Sequence, residues 1–195
     1  MDGNAFNSSI PQVIGSLPDL EFLYAADSFI SGDLSYMEGM PSIFEHWVDD
    51  NPGLGGPIFP FIGDLGTLGS LSLTGNALVG NIPTQLGNLS NMAQMWLYDN
   101  LLTGAIPTEL GVLRMLTLLQ VEENAFVGSM PDEVCANVGF LQPLLVLGAD
   151  CSDPGFEVRT KKMLLLFHLP NVFLTKICPS FFPVCMLYVL QSCCV

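Results

Sequence analysis

The sequence contains few basic residues and few charged residues of any kind. Of its 195 residues, 5 are Lys or Arg and 19 are Asp or Glu, which gives a formal net charge of −14. Charged residues make up 12% of the chain, against a usual share of about 25%. Nucleic acids and anionic membrane surfaces are recognised through basic patches, so this composition excludes nucleic acid and disfavours such a membrane surface as a partner.

The sequence also lacks the common signatures of catalysis. It contains no glycine-rich phosphate-binding loop, no kinase signature and no His or Cys spacing typical of a metal site. Its acidic residues lack the alternating spacing of a calcium-binding loop. We therefore predict a non-catalytic protein with no cofactor and no metal site.

The composition changes sharply near residue 158. All 19 acidic residues, all 19 glycines and one basic residue precede this point, so residues 1–158 have a net charge of −18. Residues 159–195 contain the other four basic residues, no acidic residue and four of the six cysteines. We therefore interpret residues 152–195 as an atypical hydrophobic tail.

A fixed period organises the chain before this point. Glycine recurs at equal intervals without exception, at Gly32, Gly56, Gly80, Gly104 and Gly128. A second ladder follows the same period except that its third member comes one place early, and it consists of Asn4, Ser28, Asn51, Asn76, Asn100 and Asn124. An insertion near Pro52-Gly53 explains the uneven step, because the glycines keep their interval. Such self-similarity indicates a stacked repeat architecture.

Two units show the repeat most clearly. Residues 68–91 read LGSLSLTGNALVGNIPTQLGNLSN, residues 92–115 read MAQMWLYDNLLTGAIPTELGVLRM, and both fit LxxLxLxxNxLxGxIPxxLGxLxx. Over residues 4–151 this pattern resembles the leucine-rich repeat family, in the plant-type subclass marked by LxGxIP. The resemblance implies an α/β solenoid, with a parallel β-sheet on the concave face and short helical or 3₁₀ turns on the convex face.

We expect this solenoid to span residues 1–151. It would comprise a partial first repeat, five repeats that start near residues 20, 43, 68, 92 and 116, and a closing segment at 131–151. Strand leucines such as Leu71 and Leu73 would point into a core that the coils share. The asparagine after each strand has donor and acceptor groups for the buried backbone. His46 occupies an inward leucine position, and we interpret it as a core histidine.

Function is expected from the outward residues of the concave strands, because the inward residues are structural. One outward column contains Tyr24, Trp47, Ser72, Trp96 and Gln120. The next contains Ala26, Asp49, Thr74, Tyr98 and Glu122, and the column bordering it contains Asp27, Asp50, Gly75, Asp99 and Glu123. The candidate ligand-binding residues are aromatic side chains edged with carboxylates, namely Tyr24, Trp47, Asp49, Asp50, Trp96, Tyr98, Asp99 and Glu122.

This pattern favours binding over catalysis. Aromatic side chains are common binding anchors, and an acidic rim favours a basic ligand. Five strands give a face of about 24 Å, which suits an extended peptide of about seven residues. We expect a flat sheet without a catalytic pocket and predict a receptor-like or inhibitor-like module that binds a protein or peptide. The alternatives are a structural cell-surface or cell-wall component that binds polysaccharide, and a gene fragment without a function of its own.

Several features favour an extracellular or cell-surface protein. Sequons begin at Asn7 and Asn88, so we predict glycosylation at both, with Asn88 on the convex side. The resemblance implies a disulfide-bonded closing cap in which Cys135 pairs with Cys151; the alternative is two free thiols in a reducing compartment. The first residues lack the basic and apolar regions of a signal peptide. We therefore expect the natural chain to begin upstream of Met1.

The hydrophobic tail has three interpretations. A membrane anchor would lie within residues 163–195, but its best window, Ile177–Val195, contains two prolines, and a span needs about 20 mostly apolar residues. A packed extra cap would lack the acidic residues and glycines of the solenoid. We favour translated non-coding sequence, because Val158-Arg159 can be encoded by GTAAGA, which matches the start of an intron.

We expect full-length cDNA sequencing to show splicing at Val158 into a different closing segment. The reason is that the loss of acidic residues and glycine coincides with this dipeptide. Transcripts that read in frame through residue 158, with no spliced form, would rule this interpretation out.

Overall fold

Each repeat unit forms one coil of a solenoid. The computed structural model describes residues 3–137 and the backbone of the strand Val146–Gly148. Within a coil, a strand leads to a corner at the repeated asparagine, then to a second short strand and a 3₁₀ turn. The next coil begins directly beside the first.

Eleven strands in the described residues form two parallel sheets. The front sheet contains the odd-numbered strands β1 (Phe22–Tyr24), β3 (Glu45–Trp47), β5 (Ser70–Ser72), β7 (Gln94–Trp96), β9 (Leu118–Gln120) and β11 (Val146–Gly148). The side sheet contains the even-numbered strands β2 (Ser31–Gly32), β4 (Gly53–Pro57), β6 (Ala77–Gly80), β8 (Leu101–Gly104) and β10 (Ala125–Phe126). The front sheet is the predicted concave sheet, and the predicted solenoid fold is confirmed.

Short helices cover the face opposite the front sheet, as predicted. They are the 3₁₀ helices Gln12–Ser16, Leu34–Met37, Pro60–Asp64, Thr84–Asn88 and Thr108–Val112, followed by the α-helix α1 (Asp132–Cys135). Pro83 precedes one of them with φ −66° and directs the chain outward from the core. Successive coils approach closely here, since a Cβ on Gly87 would lie 2.6 Å from the carbonyl oxygen of Glu109.

The side sheet was not predicted from the sequence. Its strands contain two to five residues each and come from the LxG part of the repeat. Such segments are too short for an alternating pattern of apolar and polar residues to be recognised. They pair because equivalent extended segments of stacked coils lie side by side, with Val79 opposite Leu101 for example.

The predicted insertion is absorbed at the corner between the two sheets. In the front sheet, the step along the chain from Phe22 to its partner Glu45 is shorter than the step from Glu45 to its partner Ser70. In the side sheet, the step from Ser31 to Gly53 equals the step from Gly55 to Ala77 in the next coil. The additional residue therefore lies between the end of β3 and the start of β4 and leaves the side sheet in register.

Asparagine side chains at the corners join neighbouring coils. The Nδ2 of Asn76 donates to the carbonyl oxygen of Val48 in the preceding coil (2.9 Å) and to that of Leu73 in its own coil (2.8 Å). Its Oδ1 accepts a hydrogen bond from the backbone N–H of Asn51 (3.1 Å). Equivalent contacts are made by Asn51, Asn100 and Asn124. The ladder pairs backbone groups that would otherwise be buried without partners, as predicted.

The core is continuous between the coils, and His46 is part of it. Leu71 and Leu73 are completely buried, and so is His46. The imidazole stacks on the ring of Tyr36, with centroids 5.7 Å apart, and its Nε2 lies 2.9 Å from the Tyr36 hydroxyl. Burial lowers the pKa of His46 from 6.5 to about 4. This imidazole is therefore neutral at pH 7.

Replacing Asn76 with alanine should strongly destabilise the solenoid. The variant leaves several buried backbone groups unpaired, each at a cost of about 1–3 kcal/mol, so we expect a loss of more than about 3 kcal/mol in the free energy of unfolding. Asn91→Ala is the matched control, because Asn91 is exposed and donates only to the Gly66 carbonyl. Denaturant titration measures both, and equal losses would contradict a special role for the ladder.

The buried histidine should make stability depend on pH. Between pH 6.5 and pH 4 the unfolded chain binds a proton at His46 that the folded chain does not, so stability falls as the pH falls. For a pKa that drops from 6.5 to about 4, the loss by pH 4 is about 3 kcal/mol.

The double variant Tyr36→Phe/His46→Leu removes both polar partners together and should lose this component of the pH dependence. Urea titrations at pH 7, 5.5 and 4 measure it as the difference between variant and wild type. Parallel curves for the two proteins would show that His46 does not titrate as a buried group.

Candidate functional site

The register of the front sheet aligns the outward aromatic residues in one row. Tyr24 pairs with Trp47, Trp47 with Ser72, Ser72 with Trp96 and Trp96 with Gln120. The ring centroids of Tyr24 and Trp47 lie 5.0 Å apart, and those of Trp47 and Trp96 lie 6.0 Å apart in an edge-to-face arrangement. Contiguous, partly exposed apolar surface of this kind marks binding sites.

A shallow trough lies beside the edge-to-face contact of Trp47 with Trp96. It forms because the coil between them carries only small outward residues, Ser72, Thr74 and Gly75, where both neighbouring coils carry large ones. The trough has a volume of about 260 Å³ and is lined by Trp47, Asp49, Asp50, Ser72, Thr74, Trp96 and Tyr98. This trough is a shallow, open depression of the front sheet.

Polar atoms fix the shape of the trough. The Oδ1 of Asp49 accepts hydrogen bonds from the Ser72 hydroxyl (2.5 Å) and from the backbone N–H of Thr74 (3.0 Å). The indole N–H of Trp47 donates to the Ser70 hydroxyl at 2.8 Å. Thr74 is 6% exposed, and its own hydroxyl has no hydrogen-bond partner among the described residues.

The backbone conformation helps to explain which residues occupy the column that borders the trough. Asp27, Asp50, Asp99 and Glu123 all have φ between 46° and 57°, and Gly75 at the equivalent position has φ 65°. This left-handed region favours glycine and tolerates Asp and Asn better than most residues. This role was not predicted from the sequence, although the presence of Gly75 in a column otherwise made of acidic residues was the available signal.

Only part of that column contributes to the trough. A side chain at Gly75 would collide with the Asp50 carboxylate, so glycine at this position lets Asp50 lie over the small-residue coil. Asp99 is exposed in its own turn and does not line the trough. The two acidic residues that the structure brings to the trough are therefore Asp49 and Asp50.

Glu122 is buried and not exposed to solvent. The prediction that it belongs to an exposed ligand-binding face is therefore wrong. The residue is 3% exposed, and its Oε1 accepts a hydrogen bond from Gln120 at 3.0 Å. Strand β11 pairs with β9, so Gln120 lies inside the sheet and not at its end. The carboxylate of Glu122 therefore forms a hydrogen bond inside the protein.

Tyr24 lies at the opposite end of the aromatic row. Its hydroxyl donates a hydrogen bond to the carboxylate of Glu45. That hydrogen bond, with smaller contributions from burial and from the charge of Glu45, raises the pKa of Tyr24. The ring also contacts Trp47, so Tyr24 extends the row without lining the trough.

The lining of the trough is acidic and contains no basic residue. Arg114 is the only Lys or Arg between residues 3 and 137, and it donates to the Asn137 side chain at 3.1 Å after the 3₁₀ helix Thr108–Val112. His46 is buried and neutral at pH 7. The lining residues therefore give the trough a negative charge, which Asp49 and Asp50 supply.

The remaining predicted sites lie away from the trough. Asn7 and Asn88 are exposed, and Asn88 ends a 3₁₀ helix on the convex side. Cys135 is 6% exposed. Its predicted partner Cys151 lies outside the described residues, as do residues 152–195.

The described residues contain neither a metal-binding cluster nor a membrane-spanning helix. No group of three or more His, Cys, Asp or Glu side chains is placed to hold a metal ion between residues 3 and 137. No helix within the same range is long and apolar enough to cross a membrane.

Comparison with solved structures places the fold among plant receptor domains. The chain is similar to the plant peptide hormone receptor RGFR1 in complex with RGF2, with a TM-score of 0.65 and 25% identity over 73% of this chain and 23% of that one. It is similar to PEPR1 in the PEPR1–AtPEP1 structure, with a TM-score of 0.63 and 31% identity over 69% of this chain and 22% of that one.

A third similar structure is the BIR3–SERK2 complex from Arabidopsis thaliana, with a TM-score of 0.58 and 28% identity over 69% of this chain and 71% of that one. No protein-family model matches the chain, and no curated protein sequence matches it. The chain spans about a quarter of the length of the first two receptors. The repeat, the two sheets and these likenesses define a leucine-rich-repeat solenoid. The chain is a leucine-rich-repeat protein of the plant type.

Proposed function

We propose that this chain is a non-catalytic recognition module that binds an extended peptide or protein segment across its front sheet. The observation that carries the proposal is the aromatic row with the trough beside Trp47 and Trp96. Trp and Tyr supply much of the binding energy at protein interfaces, and both are partly exposed here.

The similar structures support the same proposal. One of them is described as a peptide hormone receptor in complex with RGF2, and another as a complex of two proteins, BIR3 and SERK2. Recognition through a repeat solenoid also follows from its shape, because stacked coils present an extended surface. The same likenesses, together with the exposed asparagines of both sequons, support an extracellular or cell-surface location.

Polysaccharide binding is the second candidate function, because aromatic rings also stack on sugars. The acidic residues at the trough favour the peptide, since a neutral sugar offers no positive charge to Asp49 and Asp50. A glycan array probed beside the peptide library separates the two functions. If the chain binds peptides, the library and not the glycan array should yield ligands whose binding requires Trp47 and Trp96.

The double variant Trp47→Ala/Trp96→Ala should lose binding to peptides selected on the wild-type chain from a random display library. Removing two central anchors should weaken affinity by more than about thirtyfold. Phe29→Ala is the control, since Phe29 is 58% exposed but lies beside the side sheet. Titration calorimetry measures all three proteins. Selected peptides that bind the double variant as tightly as the wild type would place recognition elsewhere.

A further inference from the structure

We propose that the trough bordered by Trp47, Trp96 and Asp50 is a subsite for the guanidinium group of an arginine side chain carried by the bound peptide. This inference rests on the proposed function and names the chemistry of one position in the ligand. Its evidence is the size of the trough, the nature of its walls and the polar groups at its floor and edge.

The size of the trough fits one side chain. At about 260 Å³ it is smaller than the roughly 300–1,000 Å³ of pockets that enclose drug-sized ligands. It lies beside the middle of the row, where an extended chain crossing the strands would direct one side chain against the indoles and toward Asp49 and Asp50. The floor is made by Ser72 and Thr74, both 6% exposed.

The walls favour a flat cation. Trp47 and Trp96 meet edge to face, so the trough offers indole π-surface, and cations are attracted to an indole within about 6 Å of its centroid. The N–H of Trp47 is already used by Ser70, which holds that ring in place. Arginine is the natural side chain that combines positive charge with a plane able to stack.

The polar groups favour a positively charged donor with several N–H bonds. Asp49 and Asp50 supply two carboxylates at one edge of the trough. The buried Thr74 hydroxyl has no hydrogen-bond partner in the described structure. A guanidinium has five donors, so it can meet a carboxylate while a further N–H approaches this hydroxyl.

The two tryptophans allow a direct test, because they are the only indoles in the chain. Both rings line the trough, so their side-chain N–H signals in a ¹⁵N NMR spectrum of the full chain report on ligands that bind there. The probes are the peptide acetyl-Gly-Gly-Arg-Gly-Gly-amide and its citrulline analogue, which keeps the shape but lacks the charge. We expect the arginine peptide to shift both indole signals and to bind at least about tenfold more tightly than the citrulline peptide.

Three variants locate the effect. Ser72→Leu fills the trough and should abolish the shifts, while Asp50→Asn should weaken binding several-fold. Asp64→Asn makes the same charge change at an exposed position in a 3₁₀ helix and should have no effect. If Ser72→Leu does not fold, Thr74→Val serves instead. It removes an unpaired hydroxyl, so it should keep the fold and weaken binding of the arginine peptide.

The outcomes separate this subsite from the wider function. Equal binding of the arginine and citrulline peptides, or no shift of either indole with millimolar arginine peptide, overturns the arginine subsite. In either case, library-selected peptides that still require Trp47 and Trp96 would leave peptide recognition by the front sheet intact. If those peptides also ignore the tryptophans, both proposals fail.

Discussion

The asparagine ladder is the interaction on which the rest of the solenoid depends. Each side chain pairs with backbone groups of its own coil and of the coil before it, as Asn76 does with Leu73 and Val48. These hydrogen bonds satisfy polar atoms in a region that water does not reach, and they also set the distance and register between coils. Because the register is fixed there, outward residues one period apart come to lie in straight rows.

The trough is a consequence of that register combined with one coil of unusual composition. Two tryptophans two coils apart would leave a flat aromatic surface if the coil between them carried a large residue. Ser72 at that position lets the indole rings reach each other at 6.0 Å, and the trough lies beside them. Gly75 has a double role, since it adopts the left-handed turn and also makes room for Asp50.

Much of the fold could be predicted from the sequence, because a period that recurs from coil to coil leaves little freedom in register. The same register predicts that Trp47, Asp49 and Trp96 lie near one another, and all three line the trough. What could not be predicted depends on three-dimensional packing. The side sheet arises from segments too short to carry a pattern, the burial of Glu122 depends on a partner side chain, and the acidic column reflects backbone φ as well as charge.

The insertion between Trp47 and Gly53 shows how such a surface can change. One additional residue enters at a corner, and the side sheet continues in unaltered register on both sides of it. The step from Phe22 to Glu45 is shorter by the same amount, so the coils keep their common period and the neighbouring coils do not adjust. The outward residues of the front sheet can therefore change while the pairing between coils is kept. A new trough requires substitutions in one coil only.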